Sequence, residues 1–165
     1  MKFARLRRRL ALLEARWLAE TDPVIQYGLA KLYCLECCGW LELWLDDFYG
    51  KSSSKYIVTS KLSEKFKAKV DGTYGFAFEK NVEPLIVSLG GLAGACKLQR
   101  RMNPSTFEQM KASLGNLKTW RDKLAHTDAE GVQMSAPAPS ATWAEFRRAA
   151  LGLMAYKRIF RQVMI

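Results

Sequence analysis

Apolar side chains recur at steps of three and four residues along most of this chain, and no stretch shows the convincing alternation of apolar and polar residues that a strand requires. The pattern is clearest from Phe107 through Met110, Leu114 and Leu117 to Leu124. Such spacing places the apolar side chains on one face of an α-helix. The sequence therefore predicts an all-α fold, a compact bundle of five or six helices.

Length and composition fit a single domain of this class. The 165 residues are 49% apolar and 12% aromatic, so the chain buries enough surface to offset the entropy lost on folding. We expect residues 1–22 to form a basic amphipathic helix and residues 23–165 to form the core of the bundle. No internal repeat or long linker divides the chain.

Capping residues, prolines and glycines set the expected helix ends. Start signals are Asp22-Pro23, Asn103-Pro104 and a capping box of Thr142 with Glu145, and stop signals are Gly50 and Ser52 to Ser54. Five of the expected helices cover about residues 3–18, 24–48, 81 or 83 to 101, 104–126 and 142–163. A shorter helix is expected to start at Ser60 or Ser63, and the helix that ends at 101 is expected to bend at Gly90-Gly91.

Charge indicates the class of partner. The chain carries 26 Lys and Arg against 16 Asp and Glu, a formal net charge of +10, which favours an anionic partner, with nucleic acid or a membrane surface as the main candidates. The first 20 residues have a basic start but lack the apolar core of a signal peptide, and no apolar run is long enough to span a membrane. We therefore expect a soluble, cytoplasmic protein and consider a membrane partner unlikely.

Three of the four cysteines, Cys34, Cys37 and Cys38, lie together in the most apolar predicted helix. A zinc site would need two of them to converge with Cys96 and His126 from separate segments. Small side chains on one helix face also allow a second helix to approach closely. We favour this packing interpretation and expect neither a metal nor a cofactor.

The sequence Arg121-Asp122-Lys123-Leu124-Ala125-His126 ends the clearest predicted helix. Histidine transfers protons near neutral pH, and arginine binds a phosphate through two parallel hydrogen bonds. These groups suffice for attack of a ribose 2′-hydroxyl on its own phosphodiester without a metal. The alternative is that Arg121 and His126 only stabilise the C-terminal end of their helix, where cations are favoured.

The segment Trp120 to His126 resembles the signature of the HEPN superfamily (higher eukaryotes and prokaryotes nucleotide-binding domain), in which an arginine and a polar residue precede an Ala-His pair. The similarity extends from about Pro23 onward and is greatest to the RiboL-PSP-HEPN subgroup. A long apolar helix carrying Glu42 and the sequence Phe78 to Asn81 match the family's order of elements.

This resemblance implies a HEPN-like helical bundle that dimerises. Many HEPN members are metal-independent ribonucleases of toxin–antitoxin and antiviral defence systems. By the same resemblance, Arg121 contacts the scissile phosphate, His126 takes part in proton transfer, Asp122 orients this pair, and Glu42 lies near the cleft. An antitoxin or another defence protein is then an expected partner.

Basic residues near the motif are candidate contacts for the RNA backbone, although most charged helix faces are only solvated. The candidates are Lys118 and Lys123 on the motif helix and Arg100 and Arg101 before it. The cluster Arg7-Arg8-Arg9 suits RNA, an acidic partner, an anionic membrane surface or an organelle presequence.

These observations predict a homodimeric, metal-independent endoribonuclease of a prokaryotic defence system. One alternative is a non-catalytic HEPN module that binds a nucleotide or a protein partner. Another is a helical adaptor that uses its arginine-rich first helix on a membrane. Only the ribonuclease requires both Arg121 and His126.

Overall fold

A computed structural model describes residues 3–126 and 135–163, with the side chain of His126 outside the described part. Within these ranges the chain is all-helical, as predicted, and forms a compact bundle of six α-helices with one π-helical turn, Phe78–Val82. The helices are α1 (Phe3–Ala19), α2 (Pro23–Tyr56), α3 (Ser60–Asp71), α4 (Glu83–Arg101), α5 (Pro104–His126) and α6 (Pro139–Val163). None of the helices in the described ranges combines the length and apolarity needed to cross a membrane.

Helix α2 is the centre of the bundle. It packs against each of the other five helices, and its buried side chains are distributed around most of its circumference. A helix that is apolar on most sides must be surrounded to be stable in water. Helix α1 belongs to the same core, because Leu6 and Leu10 are buried.

Several helix ends lie where the sequence predicts them. The Asp22 carboxylate accepts hydrogen bonds from the backbone N–H groups of Val24 and Ile25, at 2.8 and 3.3 Å. Asn103 caps α5 by accepting from the Thr106 N–H at 3.0 Å. These contacts satisfy backbone donors that have no partner within the helix.

The predicted end of α2 was wrong. The helix continues through Gly50 and Ser52 to Ser54 and ends at Tyr56. The Ser52 hydroxyl donates to the Phe48 carbonyl at 2.7 Å, and the other two serine hydroxyls donate to the Gly50 carbonyl. Tertiary packing of Phe48 and Tyr49 holds this segment helical despite its weak intrinsic propensity.

The predicted start of α6 was also wrong. The helix begins at Pro139, and Thr142 is a buried residue inside its first turn rather than a cap. Glu145 contacts Arg148 instead of the backbone at Thr142. Proline is favoured at the first position of a helix, so Pro139 moves the start upstream of the capping-box sequence. Part of the expected loop from Gly131 to Pro139 lies outside the described residues.

Helix α4 bends as expected from its glycine pair. Gly91 has φ 66° and ψ 175°, a conformation that interrupts the helix and that other residues rarely adopt. The preceding Pro84 lies in the first turn, where its missing N–H costs no hydrogen bond.

Helices α5 and α6 approach each other closely at Gly152. A Cβ atom placed there would lie 2.7 Å from Met110 Cγ, well inside van der Waals contact. Gly152 is buried, and Met110 is fully buried in the core. The absence of a side chain at Gly152 therefore sets the distance between the two helices.

We expect Gly152→Ala to lower the free energy of unfolding by about 1–3 kcal/mol, the usual cost of overpacking a core. Gly115→Ala on α5 is the matched control, because nothing lies within 4 Å of its added Cβ. The control should raise stability by up to about 1 kcal/mol, since alanine is the better helix former. Urea denaturation measures both values, and equal effects of the two substitutions would contradict the close approach at Gly152.

Candidate functional site

Arg121 lies at the contact between α5 and α2. Leu124 is buried and Trp120 is half-buried on the same helix, so their packing fixes the orientation of this segment. The Arg121 side chain retains 32% exposure, and its Nη2 lies 2.9 Å from Oε1 of Glu42 on α2. The guanidinium therefore meets a carboxylate from another helix while one side remains open to solvent.

Cys38 explains how the two helices come close enough for this contact. Its thiol lies 3.7 Å from the Leu117 carbonyl, within hydrogen-bonding distance for sulfur. Cys38 precedes Glu42 by one helical turn, and Leu117 precedes Arg121 by one turn. The small buried cysteine thus permits the approach that places Glu42 against Arg121.

Two further charges on α5 adjoin this ion pair. Asp122 Oδ1 lies 3.6 Å from Arg121 Nη1, and Asp122 Oδ2 accepts a hydrogen bond from the Lys118 ammonium. We call Glu42, Lys118, Arg121 and Asp122 the charged cluster. It contains two cations and two carboxylates, so the charge of Arg121 is locally balanced.

Glu42 is the least well-solvated carboxylate of the charged cluster. Burial raises the pKa of Glu42, Arg121 opposes this shift, and Asp46 and Asp122 add to it. Its Oε1 atom is sealed from solvent and accepts no hydrogen bond within the described residues, so the Arg121 contact is an ion pair without hydrogen-bond geometry. The folded protein therefore favours the neutral form of Glu42 more than water does.

A cavity of about 580 Å³ lies beside Glu42, between α2, α3 and the turn after α3. Asp46 and Asp71 also line this cavity, and burial together with Asp71 raises the pKa of Asp46. Three carboxylates against the single cation Lys67 make its wall acidic. The cavity is therefore unsuited to a phosphate, although it adjoins Arg121 through Glu42.

The structure brings together only part of the predicted site. Arg121, Asp122 and Lys118 meet in the charged cluster, and Lys123 is exposed on the same helix. Helix α5 runs through His126, but the side chain of His126 lies outside the described residues.

The other predicted RNA contacts lie on a different helix. Arg100 and Arg101 are exposed at the C-terminal end of α4, where Arg100 and Lys97 line a shallow depression. No contact in the structure joins these arginines to the charged cluster, within the described ranges.

The cysteines follow the packing prediction. Cys34, Cys37 and Cys38 are buried in α2, whereas Cys96 is exposed on α4. Burial is the largest factor that raises the pKa of the Cys37 thiol, so it stays protonated at neutral pH. In the part of the chain that the structure describes, no three metal-ligating side chains converge.

Comparison of the chain with protein-family models, with curated proteins and with solved structures found no match. The residues of the site are therefore the basis for a functional proposal.

We expect Glu42→Gln to change how stability depends on pH. Because the pKa of Glu42 is raised above its ordinary value of 4.5, ionisation costs the folded state more than the unfolded state as the pH rises. The free energy of unfolding of the variant minus that of the wild type should therefore increase between pH 4.5 and neutrality. Urea denaturation at a series of pH values measures this difference.

Glu145→Gln is a control of opposite sign. Burial alone would raise the pKa of Glu145, but hydrogen bonds from Ser113 and Arg148 outweigh it and lower the pKa. The stability advantage of the wild type over this variant should be present at neutral pH and disappear as the pH falls below 4.5. The same trend in both variants would contradict the different environments of the two carboxylates.

Proposed function

We propose that this protein is a HEPN-like, metal-independent endoribonuclease of a prokaryotic toxin–antitoxin or antiviral defence system. The observation that carries the proposal is the position of Arg121, a partly exposed guanidinium oriented by two carboxylates on a helix that runs on through His126. The chain then carries a proposed phosphate-binding residue and a proposed proton-transfer residue five positions apart on one helix.

The proposed reaction needs three roles. His126 accepts the proton of a ribose 2′-hydroxyl as the 2′-oxygen attacks the adjacent phosphorus. The bond from phosphorus to the 5′-oxygen then breaks, and a protonated histidine supplies the proton that this leaving oxygen takes. The products are a 2′,3′-cyclic phosphate and a 5′-hydroxyl. Arg121 binds the non-bridging oxygens and stabilises the negative charge of the transition state.

The charged cluster prepares Arg121 for this role. Glu42 and Asp122 fix the direction of the guanidinium in the absence of RNA. A phosphate reaching the exposed side of Arg121 competes with Glu42, and burial disfavours the charged form of Glu42 in the folded protein. Asp122 remains paired with Lys118 and keeps the segment in place.

A homodimer is part of the proposal. A two-fold axis near the end of α5 would bring two copies of Arg121 and His126 into one cleft, because a two-fold interface uses the same patch on both chains. The reaction gains from a base, an acid and more than one positive charge around the phosphate.

A second candidate is a non-catalytic HEPN module that binds a nucleotide or a protein partner. The balanced charges around Arg121 favour it, since an ion pair between α2 and α5 also serves to fix two helices. Activity of the Arg121 and His126 variants separates the two candidates.

We expect purified protein to cut single-stranded RNA in the presence of a chelator and to leave 2′,3′-cyclic phosphate ends. DNA lacks the 2′-hydroxyl and should survive. Arg121→Ala and His126→Ala should each abolish cleavage, whereas Lys61→Ala, at an exposed position on α3, should not. Gel electrophoresis of the RNA and mass spectrometry of its ends provide the readout.

Because Arg121→Ala leaves Glu42 without its partner, circular dichroism must show that the variant keeps its helices, and the double variant Arg121→Ala/Glu42→Gln gives an independent check. Cleavage that stops in chelator and returns with added metal would refute the mechanism, as would equal cutting of DNA.

The shared site predicts complementation between inactive chains. A mixed dimer of Arg121→Ala and His126→Ala keeps one arginine and one histidine in the cleft, so it should recover part of the activity. Co-expression with two different affinity tags yields this dimer for assay. Only monomer in gel filtration at micromolar concentration, or full activity of the His126→Ala homodimer, would rule out a shared site.

A further inference from the structure

A groove of about 400 Å³ separates the first turns of α1 from one face of α6. From α6 it is lined by Trp143, Phe146, Leu151 and Met154, whose spacing places them along one side of that helix. Phe3 closes it from α1. The groove is far larger than a packing defect and runs along the helix axis.

The floor of the groove is a fixed aromatic cluster. The fully buried Phe146 ring stacks on Trp143 at a centroid distance of 5.5 Å and lies parallel to the Phe3 ring at 6.4 Å. Trp40 from α2 meets both phenylalanines edge-on, at 5.4 and 5.5 Å. The buried Phe146 holds the more exposed rings of Phe3 and Trp143 in place, so a ligand does not have to order them, which reduces the entropic cost of binding.

The walls of the groove expose large apolar side chains. Leu151 is 56% exposed, Met154 43% and Phe3 39%. Tryptophan, methionine, phenylalanine and arginine are enriched where proteins bind other proteins. An apolar strip along a helix, beside a second helix, is the surface that an amphipathic helix of a partner covers.

The charges at the rim of the groove indicate the charge of the ligand that it binds. Arg7 and Arg147 line the groove and are exposed, and no carboxylate lines it among the described residues. The neighbouring Arg9 is different, because it pairs with Glu36 of α2. Within the arginine triplet of α1, Arg7 therefore lies at the rim of this groove, whereas Arg9 forms an exposed ion pair with α2.

Two other occupants fit less well. A second copy related by a two-fold axis would bring the same patch against this one, with arginines and no carboxylate among the described lining residues of either copy, and like charges repel. Single-stranded RNA could contact the cations and aromatic rings of the groove. The side chains of Leu151 and Met154, however, can neither form a hydrogen bond with a base nor stack on it.

We propose that this groove binds an amphipathic segment of a partner protein, with apolar anchors on one face and Asp or Glu beside them. The anchors occupy the strip from Trp143 to Met154, and the carboxylates meet Arg7 and Arg147. The site is independent of the proposed ribonuclease reaction, and its test measures binding alone.

Random peptides displayed on phage, selected against the full chain and then synthesised with a fluorophore, are suitable probes. The enriched sequences should combine apolar residues at helical spacing with Asp or Glu. Fluorescence anisotropy should show that Leu151→Glu and Met154→Glu each raise the Kd about tenfold or more, as for loss of a hot-spot contact. Leu92→Glu is the matched control, since Leu92 is 73% exposed on α4, outside the groove.

A charge exchange tests the rim separately. The double variant Arg7→Glu/Arg147→Glu should no longer bind the acidic peptide. It should instead bind a version of the peptide whose acidic residues are replaced by lysine. Arg158→Glu, an exposed position of α6 outside the groove, should do neither. Selection without enrichment of acidic residues, or binding unaffected by the groove variants, would overturn the proposal. Displacement of the peptide by a single-stranded RNA oligonucleotide, or a change of oligomeric state in the groove variants, would equally overturn it.

Discussion

Burial of α2 is the constraint on which the rest of the structure depends. The helix has 34 residues and is apolar on most sides, so it is stable only when other helices cover it. All five other helices do so, and α1 contributes Leu6 and Leu10 to the same core. The positions of α5 and α6, and with them the charged cluster and the apolar groove, follow from how each helix packs on α2.

The size of the side chains at the contacts then sets the local geometry. At Cys38 a small thiol allows Leu117 to approach, and the next turn of each helix brings Glu42 and Arg121 within 2.9 Å. At Gly152 on α6 the absence of a side chain likewise allows Met110 on α5 to approach closely. An ion pair between two long side chains is weak on an open surface, because holding the two side chains together costs conformational entropy. Here the packing of α2 against α5 already holds the two residues near each other, which reduces that entropic cost.

Much of the fold is predictable because its signals are local. Asp22 and Asn103 cap their helices as their positions before proline indicate, and Gly91 bends α4. The failures, at Ser52 to Ser54 and at Thr142, are places where tertiary packing outweighs local propensity. The local pattern indicates the motif Arg121 to His126, and the resemblance implies that Glu42 lies near the cleft. Neither specifies the ion pair of Glu42 with Arg121, because 79 residues separate Cys38 from Leu117 and no local pattern reports that approach.

The excess of ten positive charges favours an anionic partner for the molecule as a whole, yet the surroundings of Arg121 are locally acidic. Glu42, Asp46 and Asp71 place negative charge on the cavity next to Arg121. A phosphate bound at Arg121 would weaken the one interaction that lowers the pKa of Glu42 and would add a negative charge beside it. Any anion held by Arg121 would therefore raise the pKa of Glu42 further, and by linkage the protonation of this partly buried carboxylate would strengthen the binding of that anion.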